Sequence, residues 1–432
     1  MENLRQVAEY TIDALEAAGA SVAQCRASLI EKNEFNVDGG EFSLFRTLFD
    51  KSLFMEAIKD QKDGRLAINS FEESSIQKAI KECLEVAESG AADEAWDIAP
   101  FQGEKEFNHG VVEPDLDRFF ERVRELVAEI KENHPLVVIE QLIASYVKVH
   151  TYYYDSNGTR YDEYKGRYEV MVGINGKEGD KVSSISDFSF TTENLDVPFI
   201  EMADAKKALE NAVKQIYPTP MEGKFTGTMI LTPGCLNQFL NFLLGNYAGD
   251  DTLIQGTSQW KDKLGEKVMD ECMTISISPL DERIVNGKRF TGDGFIAENF
   301  DVIKDGVLQN FCISLYAAKK TGNKVAPNNS DNYVIEAGDK SLEDIIKETK
   351  EGIIVGDFSG GYPGVNGEFS GVAKNSYLVK DGEIKGAVTE AMINGNLGEI
   401  FNNVVAISKE LSVNGSRVLP HIAVSGVVVS GK

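Results

Sequence analysis

The sequence predicts an α+β fold, in which N-terminal helix–antiparallel-meander–helix units are followed by a larger strand-rich C-terminal domain. Three observations predict it. Stretches with apolar residues at helical spacing bracket groups of alternating stretches. Asn-Gly and Asp-Gly dipeptides, the preferred two-residue hairpin turns, recur along the chain and crowd its second half. With 42% hydrophobic and 26% charged residues over 432 positions, the chain can bury a substantial core. That apolar content excludes disorder as the main state. The reading divides the chain into an N-terminal α+β unit (1–110), a second helix–meander–helix unit (111–220) and a strand-rich C-terminal domain (221–432).

Within the first unit, Leu4, Val7, Ala8, Ile12 and Leu15 fall on one helical face, and Gly19 is placed to end that helix. The stretch Met1 to Ala20 therefore reads as a helix rather than a signal peptide. Val22–Leu29, Phe42–Phe49, Ser52–Lys59 and Arg65–Phe71 show period-two patterning, with turns expected at Asp38-Gly39 and Asp63-Gly64. A helix follows with Ser75 as N-cap; Ile76, Ala79, Ile80, Cys83, Leu84 and Ala87 share a face, and Gly90 ends it. Ala91 to Pro114 reads as a linker.

The second unit repeats the plan, which suggests an internal duplication. Leu116, Phe119, Phe120, Val123, Leu126, Val127 and Ile130 form an amphipathic face that stops before Pro135. Strands are expected at Val137–Tyr154, Arg160–Ile174 and Lys181–Thr191, with turns at Asn157-Gly158 and Asn175-Gly176, and a helix over Pro198–Ile216. The third region is mostly strand, with short helices expected after Pro233 and after Ser341. Its turns are Asn286-Gly287, Asp293-Gly294, Asp305-Gly306, Asn366-Gly367, Asp381-Gly382 and Asn414-Gly415, a density that predicts an antiparallel body rather than a wound parallel sheet.

Charge and cysteine usage narrow the function classes. Asp and Glu number 69 against 44 Lys and Arg, for a net charge of −25. Such a surface repels phosphate backbones and anionic lipid, which argues against direct nucleic-acid or membrane binding. No apolar run reaches the length of a membrane span. Five cysteines, an odd number with no C-x-x-C, fit free thiols in a reducing, cytoplasmic setting.

Motifs that carry chemistry are sparse. The four histidines (His109, His134, His150, His421) are too scattered for a helical zinc pair, and their ordinary roles are caps and surface contacts. Walker and G-x-S-x-G motifs are absent. Ser258-Gln-Trp-Lys261, Ser330-Asp-Asn332 and Lys320-Thr-Gly322 match the three strings of the penicillin-recognising hydrolases, but in the wrong order. Asp155 to Asp162 carries a faint calcium-loop pattern that a hairpin turn explains. Gly356 to Gly371 is rich in glycine and lacks lysine, so it suits a loop whose bare backbone lets a peptide approach, not a phosphate cradle.

Four stretches occur in one order: Thr291–Leu308, Gly356–Gly371, Tyr377–Ile384 and Met392-Ile-Asn-Gly-Asn-Leu397. This series closely resembles the TldD/PmbA family, once described as modulators of DNA gyrase. The resemblance covers nearly the whole chain, and the C-terminal series is its specific part. It implies one of two kinds of subunit. TldD-like members carry an H-E-x-x-x-H helix and a later cysteine that bind the metal of a peptidase. TldE/PmbA-like members keep the fold and lack those ligands. Here the corresponding helix reads Thr232-Pro-Gly-Cys-Leu-Asn-Gln-Phe-Leu-Asn-Phe-Leu-Leu-Gly-Asn-Tyr-Ala-Gly-Asp250, with the histidine positions near Leu240 and Gly245 and no histidine anywhere. Asn414-Gly-Ser-Arg417 stands where the late cysteine would fall.

The resemblance thus implies a TldE/PmbA-like subunit that binds no metal or cofactor itself. It would pair as a heterodimer with a TldD-like metallopeptidase that holds the metal, or form a homodimer when that partner is absent. The substrate implied is an unfolded peptide, cut in a cleft that the pair encloses. Catalytic and metal-ligating residues are expected to be none. Ser359, Gly360, Gly361, Tyr362, Asn366, Gly371, Asn394 and Gly395 are the candidate peptide or cleft contacts. The alternatives are an independent hydrolase using Cys235, a serine or a metal held by scattered histidines and carboxylates, and a peptide-binding scaffold without catalysis.

Overall fold

The computed structural model describes residues 3–431. Met1 and Lys432, the outer limits of the first and third expected units, lie outside the described residues, as does Glu2. Helix α1 (Leu4–Ala17) starts where the Asn3 side chain accepts a hydrogen bond from Arg5 N, and it buries the expected stripe with Thr11 added. Strands β1 (Val22–Asp38) and β2 (Glu41–Lys59) form one long antiparallel ribbon, paired from Val22↔Ile58 to Asp38↔Glu41 with one bulge between Asn36 and Val37. The two stretches Phe42–Phe49 and Ser52–Lys59 are therefore one strand. Asp50-Lys51 looks like a break in sequence, but β1 offers Ile30 and Leu29 as pairing partners there.

Strand β3 (Lys62–Ile68) follows a turn at Asp60-Gln61, both at positive φ (51° and 60°), so the chain reverses before Asp63-Gly64 rather than at it. Gly64 has a different role. A Cβ there would lie 2.2 Å from the Cys83 carbonyl oxygen of α2 (Glu73–Ser89), so the glycine lets helix and strand touch. N-terminal capping falls to Glu72, ahead of the expected Ser75. The expected linker contains β4 (Glu104–Gly110), which pairs parallel to the stretch from Arg160 to Gly166.

Helix α3 (Leu116–Asn133) is capped by the Asp115 side chain and ends at His134, as its apolar stripe and Pro135 require. Strands β5 (Val137–Asp155) and β6 (Arg160–Glu178) form a second ribbon, followed by β7 (Lys181–Val182) and β8 (Ser186–Thr192). Asn175-Gly176 lies inside β6, not at a turn. Its reason matches that at Gly64: a Cβ on Gly176 would sit 2.2 Å from the Ala212 carbonyl oxygen of α4 (Ala205–Lys214). The helix expected over Pro198–Ile216 is split into a 3-10 turn (Phe199–Glu201) and α4, interrupted where Ala203 takes φ 48°.

Antiparallel pairing of β1 with β5 joins both ribbons into one eight-stranded sheet of order β3-β2-β1-β5-β6-β4, with β7 and β8 on β6. Helices α1 and α2 cover one core on it, and α3 and α4 cover another.

The C-terminal region begins with β9 (Thr219–Pro220), β10 (Lys224–Leu231), α5 (Pro233–Tyr247) and α6 (Asp250–Ile254). It continues through β11 (Ile275–Ile277), β12 (Phe300–Lys304), β13 (Val307–Leu308), α7 (Leu315–Thr321), β14 (Tyr333–Val334) and α8 (Leu342–Glu348). Then come β15 (Glu351–Val355), β16 (Asp357–Gly361), β17 (Glu368–Lys374), β18 (Ser376–Lys380), β19 (Glu383–Thr389) and β20 (Ala391–Asn396). Helix α9 (Leu397–Asn402), β21 (Val404–Val413) and β22 (Val418–Ser430) complete it. Helices α6, α7 and α9 add to the two short helices the sequence predicts, and α5 is a full 15 residues. The strands make one fourteen-stranded, largely antiparallel sheet, but β10 and β15 run parallel at its centre.

Helix α5 packs its apolar face into the largest core, against Leu231, Val355, Ile422 and Val424 of the sheet. The β21–β22 turn docks on β8: Thr191 N–H donates to the Asn414 carbonyl, and a Cβ on Gly415 (φ 77°) would lie 1.9 Å from the Thr191 carbonyl oxygen. Gly415→Ala is expected to cost about 2–3 kcal/mol through backbone strain and this clash, read as a lower denaturant midpoint. An unchanged midpoint would show that the turn moves freely.

Candidate functional site

The eight candidate contacts come together on one three-stranded ribbon. Gly356 to Gly371 is not a loop but a hairpin of β16 and β17, with Gly360 opposite Gly371. Strand β20 pairs on the other side of β17, placing Asn394 opposite Ser370 and Gly395 opposite Phe369. Ser359 and Asn394 are half-buried, Gly360, Gly361 and Asn366 are exposed, and Tyr362 stands 70% exposed at the tip. Two of the glycines serve packing. A Cβ on Gly371 would meet the Phe358 ring at 2.6 Å, and one on Gly395 the Phe369 ring at 2.7 Å.

Helix α5 starts with Thr232 as N-cap and Pro233 in its first turn. Leu236, Phe239, Leu240, Leu243 and Leu244 are buried along it. Leu240 is fully buried, whereas Gly245 is exposed. Five residues span about 500° of helical rotation, so these two positions face directions roughly 140° apart. Cys235 is fully buried, and burial pushes its thiol well above its ordinary range. A thiolate nucleophile is not available there.

Two of the four histidines are occupied locally. His109 Nε2 lies 2.9 Å from Glu163, and His150 Nε2 lies 2.7 Å from Asp162 with its ring stacked on Tyr164. Ser258 is buried with its hydroxyl donating to the Tyr247 carbonyl, Lys320 pairs with Asp93, and Ser330 bonds Asn328, so the three hydrolase-like strings do not assemble. The Asp155 carboxylate accepts from Thr159 N and the Tyr153 hydroxyl, which makes it a hairpin anchor.

A cleft of about 790 Å³ lies between α4, β8 and the back of the C-terminal sheet, and the N-terminus of α5 borders it. None of the eight ribbon residues lines it; from the glycine-rich run only Gly356 and Asp357 do. Strand register explains the assembly. Leu231 pairs with Ile422 on one side and with Val355 on the other, so His421 and Gly356 flank Thr232 at the mouth of α5. His421, 3% exposed, places Nε2 2.8 Å from Lys207 Nζ on α4. Burial first, then the Lys207 charge, holds the His421 imidazole down at about 3. Burial also lowers the Lys207 ammonium. Gln238 Nε2 donates to Asp357 at 2.6 Å, and burial followed by the Asp357 charge raises the Asp187 carboxyl. Among these, the sequence singled out His421, as a scattered histidine, and Asp357 only as part of the glycine-rich run. Lys207 sits 214 residues away from His421, on an ordinary amphipathic helix.

Comparison with known proteins matches residues 223–431 to the PmbA/TldA metallopeptidase C-terminal domain. A metalloprotease of Methanocaldococcus jannaschii is 23% identical over 91% of this chain and 90% of its own length. A PmbA metalloprotease homologue of Haemophilus influenzae is 22% identical over 98% and 96% of the two chains. The crystal structure of TldE from Thermococcus kodakarensis superposes with a TM-score of 0.83, at 21% identity over 98% of this chain and 99% of that one. These findings support the TldD/PmbA family for this chain.

On the resemblance described above, α5 would stand where a metal-motif helix is expected, and the donor set present does not fit a metal. Leucine and glycine at 240 and 245 have no lone pair to offer; between them Phe242, Leu243 and Leu244 are apolar, and the Asn241 amide oxygen accepts from the Tyr333 hydroxyl. Asn414 to Arg417, where the late cysteine would fall, forms a turn whose Asn414 side chain accepts from Ser416 N and Arg417 N. Among the described residues, no three His, Cys, Asp or Glu side chains gather as a cation site, and no helix is long and apolar enough to cross a membrane.

Proposed function

We propose that this chain is the TldE/PmbA-like, non-catalytic subunit of a two-subunit metallopeptidase of the TldD/TldE type that acts on unfolded peptides. One observation carries the reading: the helix that would present metal ligands is a core helix, with Leu236, Phe239, Leu240, Leu243 and Leu244 buried and no histidine. The metal belongs to a TldD-like partner, which this chain stabilises while supplying a wall of the shared cleft. In the partner's absence the chain forms a homodimer through the same surface. The working compartment is the cytoplasm, and a net charge of −25 favours an indirect route to any effect on gyrase, through proteolysis of a regulator rather than DNA contact.

Cleavage of an unfolded, fluorescently labelled polypeptide tests this. The expected result is no cleavage by the chain alone, cleavage after addition of a TldD-like subunit from the same genome, and loss of that activity with a chelator. Cleavage by the isolated chain would overturn the reading.

A further inference from the structure

The cleft beneath α4 holds a cation that the protein leaves without a counterion. Three cationic side chains line it. Lys214 pairs with Glu210 at 3.4 Å, and Arg417 pairs with Asp331. Lys207 has no carboxylate within 4.0 Å among the described residues, although Asp204, Glu410 and Glu210 act on it from farther off. Its one short polar contact is His421 Nε2. An ammonium has three donors, so a charged Lys207 that gives one to Nε2 keeps two for a ligand.

The hydrogen-bond logic extends to the ring. With Nε2 accepting, the neutral imidazole carries its proton on Nδ1. That Nδ1 is buried without a partner, and so are Asn237 Oδ1 and Arg417 Nε, all on residues that line the same cleft. Two of the three, His421 Nδ1–H and Arg417 Nε–H, are donors, so they add positive potential to the cleft wall without offering a direct contact, while Asn237 Oδ1 is an acceptor and adds none. The α5 N-terminus, bordering the cleft at Thr232, Pro233 and Gly234, adds a dipole that favours a negative group.

We propose that this cleft is a terminal-carboxylate site, in which Lys207, oriented by His421, receives the α-carboxylate of a short peptide. One unpaired cation matches one carboxylate. Asp187 and Asp357 line the same cleft and would repel a dianion such as phosphate. A volume of about 790 Å³ accepts a few residues of peptide. The choice of a peptide over other carboxylates rests on the peptidase-subunit reading above; the carboxylate site itself does not.

Calorimetric titration of the full chain, without any partner, with trialanine and with trialanine amide tests the site. The acid is expected to bind about tenfold or more tightly than the amide, as a charge-assisted hydrogen bond implies. Lys207→Met is expected to abolish that preference and Lys207→Arg to retain it, with thermal unfolding showing that both variants fold. Equal binding of acid and amide, binding of neither, or a preference that survives Lys207→Met would overturn the proposal. Displacement of trialanine by an equal concentration of inorganic phosphate would also overturn it, in favour of a general small-anion site. Cleavage by the isolated chain, measured separately, would overturn the subunit reading and leave the acid-over-amide preference intact.

Discussion

The double substitution Leu240→His with Gly245→His is expected to yield a chain that unfolds more easily and still binds no zinc. Leu240 is fully buried among the aromatic and aliphatic side chains of the largest core. Its replacement loses a leucine's worth of burial and places an imidazole where no hydrogen-bond partner is prepared, a cost of about 3–5 kcal/mol. Gly245 is exposed, and the spacing of the two positions is that of H-E-x-x-x-H, but Asn414 to Arg417 offers no cysteine, so the two imidazoles would lack the third protein ligand a zinc site needs. Denaturant unfolding and elemental mass spectrometry check both halves. Stoichiometric zinc in a variant of unchanged stability would show that the helix can rotate into a ligand-bearing register, and would undo the argument from core packing.

The second large effect concerns acid. His421 titrates at about 3 in the folded chain against an ordinary 6.5, so the folded state binds fewer protons than the unfolded one between those limits. The stability tied to the neutral ring is therefore complete above pH 6.5 and drains away as the pH falls toward 3. One proton corresponds to about 1.4 kcal/mol per pH unit, so His421 accounts for about 3 kcal/mol of loss between neutrality and pH ~4. His421→Gln cannot titrate and should show a flatter decline. Carboxylates titrate in both proteins and drop out of the difference. Urea unfolding at about pH 7 and about pH 4 measures it. Parallel declines in the two proteins would mean that His421 is solvated, not buried beside Lys207.

Glycine illustrates how far local signals reach. At Asp38-Gly39, Asp305-Gly306 and Asp381-Gly382 the dipeptide marks a hairpin, as turn chemistry requires. At Asp63-Gly64 and Asn175-Gly176 the same dipeptides lie inside strands, because a helix backbone approaches each glycine too closely for a Cβ. Nothing within a few residues distinguishes the two uses. The difference lies in α2 and α4, which arrive from elsewhere in the chain.

The site shows the same division. The glycine-rich run and the Met392–Leu397 stretch were visible as motifs, and they do meet, on the β16–β17–β20 ribbon. The cleft was not visible. Its Lys207 is one of two adjacent lysines on α4, and His421 lies in an apolar terminal strand.

By itself, the sequence determined the α+β class, the amphipathic helices and the absence of histidine from α5. Each of these depends on residue type and local periodicity, which a linear chain displays directly. Tertiary structure alone decided that β1 and β5 join two ribbons into one sheet, that Leu240 faces the core while Gly245 faces out, and that Lys207 meets His421. Those outcomes depend on which faces pack together across long stretches of chain. Contacts of that kind are set by the burial of whole surfaces rather than by any neighbouring residue.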